Sequence, residues 1–161
     1  MSGPIPIEAL ENHVAQLIAG PSPERFDAAL RSIAAAFAAA TGTLHRADVS
    51  SQMLHLVAQL GLPEALIPIT SKIPFGKGIA GQCAVELRPI ELCNLQTDAS
   101  GKARPNAKQT GVAGAIAVPV LGPAGNLLGV LGVGKIEEHT YTDEEQRVLN
   151  GCATQIGRAL T

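Results

Sequence analysis

Two pairs of apolar runs, each pair separated by only four residues, constrain this chain most. TLHRAD (43–48) and MLHLVAQLG (53–61) flank Val49-Ser50-Ser51-Gln52, and AGAIAVPVL (113–121) and NLLGVLGVGK (126–135) flank Gly122-Pro123-Ala124-Gly125. Four residues can turn a strand back on its neighbour. They cannot carry a parallel crossover, which needs about a dozen or more. Each pair therefore predicts an antiparallel hairpin. SKIPF (71–75) and PIELCNL (89–95) predict two further short strands, and residues 62–70 an irregular or briefly helical stretch.

Around these runs the periodicity is helical. Ile7, Leu10, Val14, Leu17 and Ile18 fall on one face of a helix over 7–19, stopped by Gly20-Pro21-Ser22-Pro23. A second helix starts at Ser22 or Pro23 and carries Phe26, Leu30, Ile33 and Phe37 on one stripe, with Gly42 as its cap. Gly76-Lys77-Gly78 turns the chain into a short helix over 79–88, which Pro89 ends. Thr142 and Glu145 form a capping box that opens the last helix, whose stripe runs Leu149, Cys152, Ile156, Leu160. The sum is an α+β fold: a central antiparallel sheet with terminal helices on one face. Residues 1–22 read as an N-terminal helix and turn belonging to the domain or to a dimer interface, and 23–161 as the domain proper.

Composition narrows the function. Only four aromatic residues occur (Phe26, Phe37, Phe75, Tyr141), so any pocket is walled by small aliphatics and base stacking is disfavoured. A net charge of −2 argues against nonspecific nucleic-acid binding. No apolar run approaches the ~20 residues of a membrane span. MSGPIPIEAL lacks the basic-then-apolar pattern of a signal peptide, and three cysteines make no disulfide framework, so a cytoplasmic location is expected.

Several residues could carry chemistry. Gly76-Lys77-Gly78-Ile79-Ala80-Gly81 precedes a helix, where backbone amides and partial positive charge favour an anion; the motif lacks the spacing of an ATP-binding loop. The same glycines also suit a tight turn that only launches the helix. The polar stretch 96–112 holds Lys102, Arg104 and Lys108 without an acid between Ser100 and Gly111. Folded over a pocket it attracts anions; solvated, it aids solubility. Cys83 and Cys93 lie ten residues apart in the sequence, while Cys83 and Cys152 suit small buried positions. His45 and His55 lie on adjacent strands with no third ligand at metal spacing, and no cofactor is implied. Glu86 and Glu91 have no evident acid–base partner.

LHLVAQLGLP (54–63), IPFGKGIAGQCAVELRPIELCNL (73–95), AIAVPVLGPAGNLLGVLGV (115–133) and YTDEEQRVLNGCATQIGRAL (141–160), in this order, resemble a GAF domain. The resemblance implies a GAF/PAS-like antiparallel sheet with terminal helices on one face and a ligand pocket on the other, and homodimerisation through the terminal helices. It places a ligand among His45, Lys77, Gly78, Ile79, Ala80, Gly81, Cys93, Asn94, Lys108 and Ile116. Bilin-binding members need an aromatic-rich pocket and cyclic-nucleotide members an NKFDE-like motif, neither present here. Members that reduce free methionine-(R)-sulfoxide carry cysteines where this chain has Ala80 and Ile90. Cys83 and Cys93, three positions displaced, would have to serve instead.

The expectation is a sensory domain that binds a small anion, nitrate-like or a small carboxylate, and signals through a separate partner such as a sensor histidine kinase. No kinase, cyclase or DNA-binding helix pair is evident in the chain. A thiol reductase and a ligand-free dimerising scaffold remain the alternatives.

Overall fold

The computed structural model describes residues 3–98, 100, 102 and 105–160. Its helices are α1 (Ile7–Ala19), α2 (Arg25–Ala36), α3 (Ile67–Thr70), α4 (Gly78–Glu86) and α5 (Asp143–Gly157). Its strands are β1 (Thr41–Asp48), β2 (Met53–Leu60), β3 (Lys72–Pro74), β4 (Ile90–Leu92), β5 (Gly114–Leu121) and β6 (Leu127–Lys135). The six strands form one antiparallel sheet in the order β3-β2-β1-β6-β5-β4. Both short-turn hairpins are present, β1–β2 and β5–β6. Pairing of β1 with β6 joins them at the centre, Thr43 opposite Gly132 and His45 opposite Val130.

The two faces of the sheet are packed differently. Toward α1, α2 and α5 it turns Leu44, Ala58, Ile116, Val118, Val120, Leu131 and Val133, which meet Leu10, Val14, Leu30, Ile33, Leu149 and Ile156 in the main core. The opposite face is set by alternation, since neighbouring residues of a strand point to opposite sides. There Ala117 and Val130 meet Cys83 and Ala84 of α4 beside Ile73 and Leu54. Ala115 joins Leu92, Leu95 and Val112. β5 is therefore buried on both faces, with large side chains toward the helices and alanines toward α4. An antiparallel strand with one wet face would alternate apolar with polar instead.

Two local expectations are corrected. Gly42 does not cap α2. The helix ends at Ala36, Ala38 takes a left-handed φ of 53°, and Gly42 lies within β1. A Cβ at Gly42 would press on Leu30 and Leu60 at 3.1–3.2 Å, so its small size serves α2–sheet packing. α4 stops before Pro89, because Leu87 already turns left-handed at φ 58° and returns its amide to the Cys83 carbonyl. The stretch 96–112 contains a 3₁₀ helix, Pro105–Thr110. The α5 capping box forms as read: Thr142 Oγ1 accepts from the Glu145 amide and Glu145 from the Thr142 amide. No helix among the described residues is long and apolar enough to cross a membrane.

Candidate functional site

A cavity of about 170 Å³ lies between the sheet, α4 and the two segments that cross its open side. Its floor is made by residues with little or no side chain. Thr41 and Thr43 come from β1, Ala115 and Ala117 from β5, and Gly132 and Gly134 from β6. The glycines let neighbouring side chains close in on the floor: a Cβ at Gly134 would come within 2.7 Å of Thr41 Oγ1 and 2.6 Å of a Val112 methyl, and one at Gly132 within 3.0 Å of Thr43 Oγ1. The alternation that gives the main core its large side chains gives this face its small ones. The cavity follows from that asymmetry.

Two segments make the walls. The first is the connection between β2 and β3, a 3₁₀ turn (Glu64–Leu66) followed by α3, which presents Leu66, Ile69 and Thr70. The second is the stretch after β4, which presents Leu95, Ala107, Thr110 and Val112. It is pinned by Gln96, whose side-chain amide donates to the carbonyls of Lys108 (3.0 Å) and Val112 (2.8 Å). Thr70 and Thr110 spend their hydroxyls on Leu66 and Ala107 carbonyls. Among the described residues, the side chains of Thr41 and Thr43 make no such bond.

The polar end is the first turn of α4. Gly78, Ile79 and Ala80 line the cavity, with Lys77 at its edge. Their amides have no acceptor among the described residues, and Lys77 offers no side-chain cap. Every helix leaves its first amides unpaired, where partial positive charge collects. Here they border an aliphatic hollow. The turn is built for it: Gly78 takes a φ of 67°, favoured by glycine. A Cβ on Gly81 would strike the Pro74 carbonyl at 2.6 Å. Gly81 thus lets α4 seat on the 74–76 turn and does not itself line the cavity.

The structure brings together Lys77, Gly78, Ile79, Ala80 and Ile116 of the residues singled out by sequence. Ile116 sends its side chain into the main core on the other face. The remaining five do not line the cavity. His45 stands behind the α3 wall, its Nε2 donating to the Thr70 carbonyl at 2.8 Å. Cys93 is exposed and its sulfur accepts from Thr140 Oγ1. Asn94 is held by Glu138 at 2.6 Å and by the Gln96 amide. Lys108 is exposed, and its carbonyl accepts from the Gln96 side chain and the Gly111 amide. Lys102 is exposed, and Arg104 lies outside the described residues.

The thiols lie away from the cavity. Cys83 is buried on the sheet-facing side of α4, where desolvation pushes it up to about 12, with Glu86 adding to the shift. Cys152 is buried in the main core and likewise raised to about 12, by burial and then Glu11. Glu91 accepts from the Tyr141 amide and Glu86 pairs with Arg88. Among the described residues no group of three His, Cys, Asp or Glu side chains could hold a metal ion. Sequence reasoning pointed to the 96–112 stretch as a pocket cover but missed the α3 wall and the floor. Gln96 has no local signal, and the Thr-Gly and Ala rows emerge only when three strands are aligned.

A family model described as GAF domain matches residues 7–161. Several solved structures share the fold. The GAF domain of a phosphoenolpyruvate-protein phosphotransferase (ptsP) from Coxiella burnetii is 22% identical, with a TM-score of 0.80 over 95% of this chain and 91% of that one. The A. aeolicus nlh2 GAF domain in an inactive state is 15% identical, with a TM-score of 0.75 over 95% and 94%. The free methionine-R-sulfoxide reductase of Neisseria meningitidis, in complex with its substrate, is 18% identical, with a TM-score of 0.72 over 96% and 85%. No curated protein sequence matches the chain.

Proposed function

We propose, since this chain belongs to the GAF domain family, that it is a sensory domain whose cavity takes a short-chain aliphatic carboxylate. One observation carries the reading: the acceptor-free amides of Gly78, Ile79 and Ala80 border a hollow lined mostly by aliphatic side chains and glycines, with four threonines among them. A carboxylate at a helix N-terminus gains ~0.3–1 kcal/mol from the dipole, more when water is excluded. The aliphatic floor and walls then favour an apolar body over a bare inorganic anion such as nitrate. Size supports the same choice. A cavity of about 150 Å³ holds a benzene, so this one suits a ligand of about six heavy atoms, the size of butyrate.

A thiol reductase fits less well. The chemistry needs a thiolate at the bound sulfoxide. Cys83 is buried with a raised pKa and Cys93 faces solvent away from the cavity. On the sensory reading, occupancy is passed to a partner protein, a sensor kinase being the kind the resemblance suggested.

Thermal shift and calorimetry with butyrate, butyramide and nitrate test the ligand class. Butyrate at 100 times its Kd adds ~2.7 kcal/mol of stability. Butyramide, the same shape without the charge, binds more weakly, as does nitrate. No shift with any of the three sinks the proposal.

A further inference from the structure

His45 looks at first like a ligand contact, a histidine on the cavity face of a central strand. Its surroundings give it another task. The side chain is 1% exposed. Its Nε2 lies 2.8 Å from the backbone carbonyl of Thr70, twenty-five residues away and on the far side of the wall. A carbonyl only accepts, so Nε2 carries the proton and donates. The ring's Nδ1 is buried with no partner. A protonated ring would bury a second N–H without an acceptor, so the neutral Nε2–H tautomer is the one that fits.

Thr70 ends α3, and with Leu66 and Ile69 it forms the wall between β2 and β3. Few other bonds tie that segment to the sheet. The Leu62 amide donates to the Gln59 side chain at the start of the segment, and the Leu56 amide to the Ser71 carbonyl at its end. Between these two points, bonds such as Leu66 amide to Pro63 carbonyl and Ser71 amide to Ile67 carbonyl are local. Pro63 and Pro68 remove two donors from the stretch. Ile69 is 38% exposed, so the wall is only partly anchored by burial.

We propose that His45 is a positioning residue, which closes the 62–71 segment over the cavity through its bond to the Thr70 carbonyl and so sets how fast a ligand enters and leaves. The second half of this statement rests on the cavity being a ligand site. The first does not, and it is tested without ligand. A buried polar tie of this kind is replaceable in shape but not in bonding: His45→Leu leaves the Thr70 carbonyl unpaired, whereas His45→Gln brings an amide N–H to about the place of Nε2.

Hydrogen exchange on the unliganded protein reads the tie. In His45→Leu the Leu66 and Ser71 amides exchange about tenfold faster than in the wild type, while Cys152 and Ile156 of α5 do not change, and His45→Gln restores the wild-type rate. Equal acceleration in α5 marks general destabilisation and overturns the proposal, as does no acceleration at Leu66 and Ser71. Should His45→Leu fail to fold, ¹⁵N NMR of the wild-type imidazole decides: the Nε2–H tautomer is expected, and the Nδ1–H tautomer overturns it. With butyrate as probe, the dissociation rate rises in His45→Leu in step with exchange at Leu66. Unchanged dissociation overturns the gating half. Butyrate binding to neither protein counts against the cavity reading, and the exchange result still decides the tie.

Discussion

The two faces of this sheet are made from the same six strands, yet one is filled and the other hollow. On the helix side Ile116, Val118, Leu131 and Val133 interdigitate with three helices. On the other side the residues between them are Ala115, Ala117, Gly132 and Gly134. The difference teaches what a pocket here needs. It needs small residues at alternate positions of β5 and β6, and a rim held off the floor.

The largest expected effect probes the filled face. Leu131→Ala removes a side chain that is 1% exposed and should cost ~2–5 kcal/mol in chemical denaturation, since the surrounding core cannot collapse fully. Ala117→Leu probes the hollow one. It should abolish butyrate binding in calorimetry while changing stability by under ~1 kcal/mol, because Ala117 borders the cavity and the added carbons can extend into it. The usual overpacking cost of ~1–3 kcal/mol at that position would erase the contrast between the faces.

A third test sharpens the comparison through pH. Burial, and then the neighbouring His55, hold the His45 pKa below its ordinary 6.5, against the opposing pull of the Thr70 carbonyl. The unfolded chain then binds the proton more readily than the folded one. Stability from this group is whole above about pH 6.5 and is lost as the pH falls through its folded pKa. Glu145 is also depressed, but from 4.5, so its loss falls at lower pH. Melting temperatures should decline as the pH falls below about 6.5 in the wild type and less steeply in His45→Gln. Equal slopes would remove His45 from the account. The smallest effect belongs to Thr43→Val, which keeps the shape of the floor but removes a hydroxyl. Stability should move by less than ~0.5 kcal/mol, with a measurable loss of butyrate affinity if that hydroxyl meets the ligand.

Much of the fold was legible because its signals are local. The turn between β1 and β2 and that between β5 and β6 each carry their own length. Thr142 and Glu145 cap α5 through bonds within one helical turn. Misplacements came where a long-range contact overrode a local habit. Gly42 looked like a helix cap and is a packing gap between Leu30 and Leu60. Gly81 looked like part of an anion loop and is the point where α4 touches the Pro74 carbonyl. In the site, Lys77 and the Gly78-Ile79-Ala80 turn were readable, since a glycine-led helix start is contiguous in sequence. Gln96 and the α3 wall were not, because their roles depend on carbonyls that come from other segments.

The sequence by itself determined the antiparallel hairpins, the amphipathic helices and the scarcity of aromatic surface for any pocket. Those properties depend on neighbours a few residues away. Only the tertiary structure decided that Thr43 and Gly132 lie side by side, that Ala117 borders a hollow while Ile116 faces the core, and that His45 reaches the Thr70 carbonyl. Each depends on register and on which face a side chain takes. A one-residue slip would exchange the two faces of a strand.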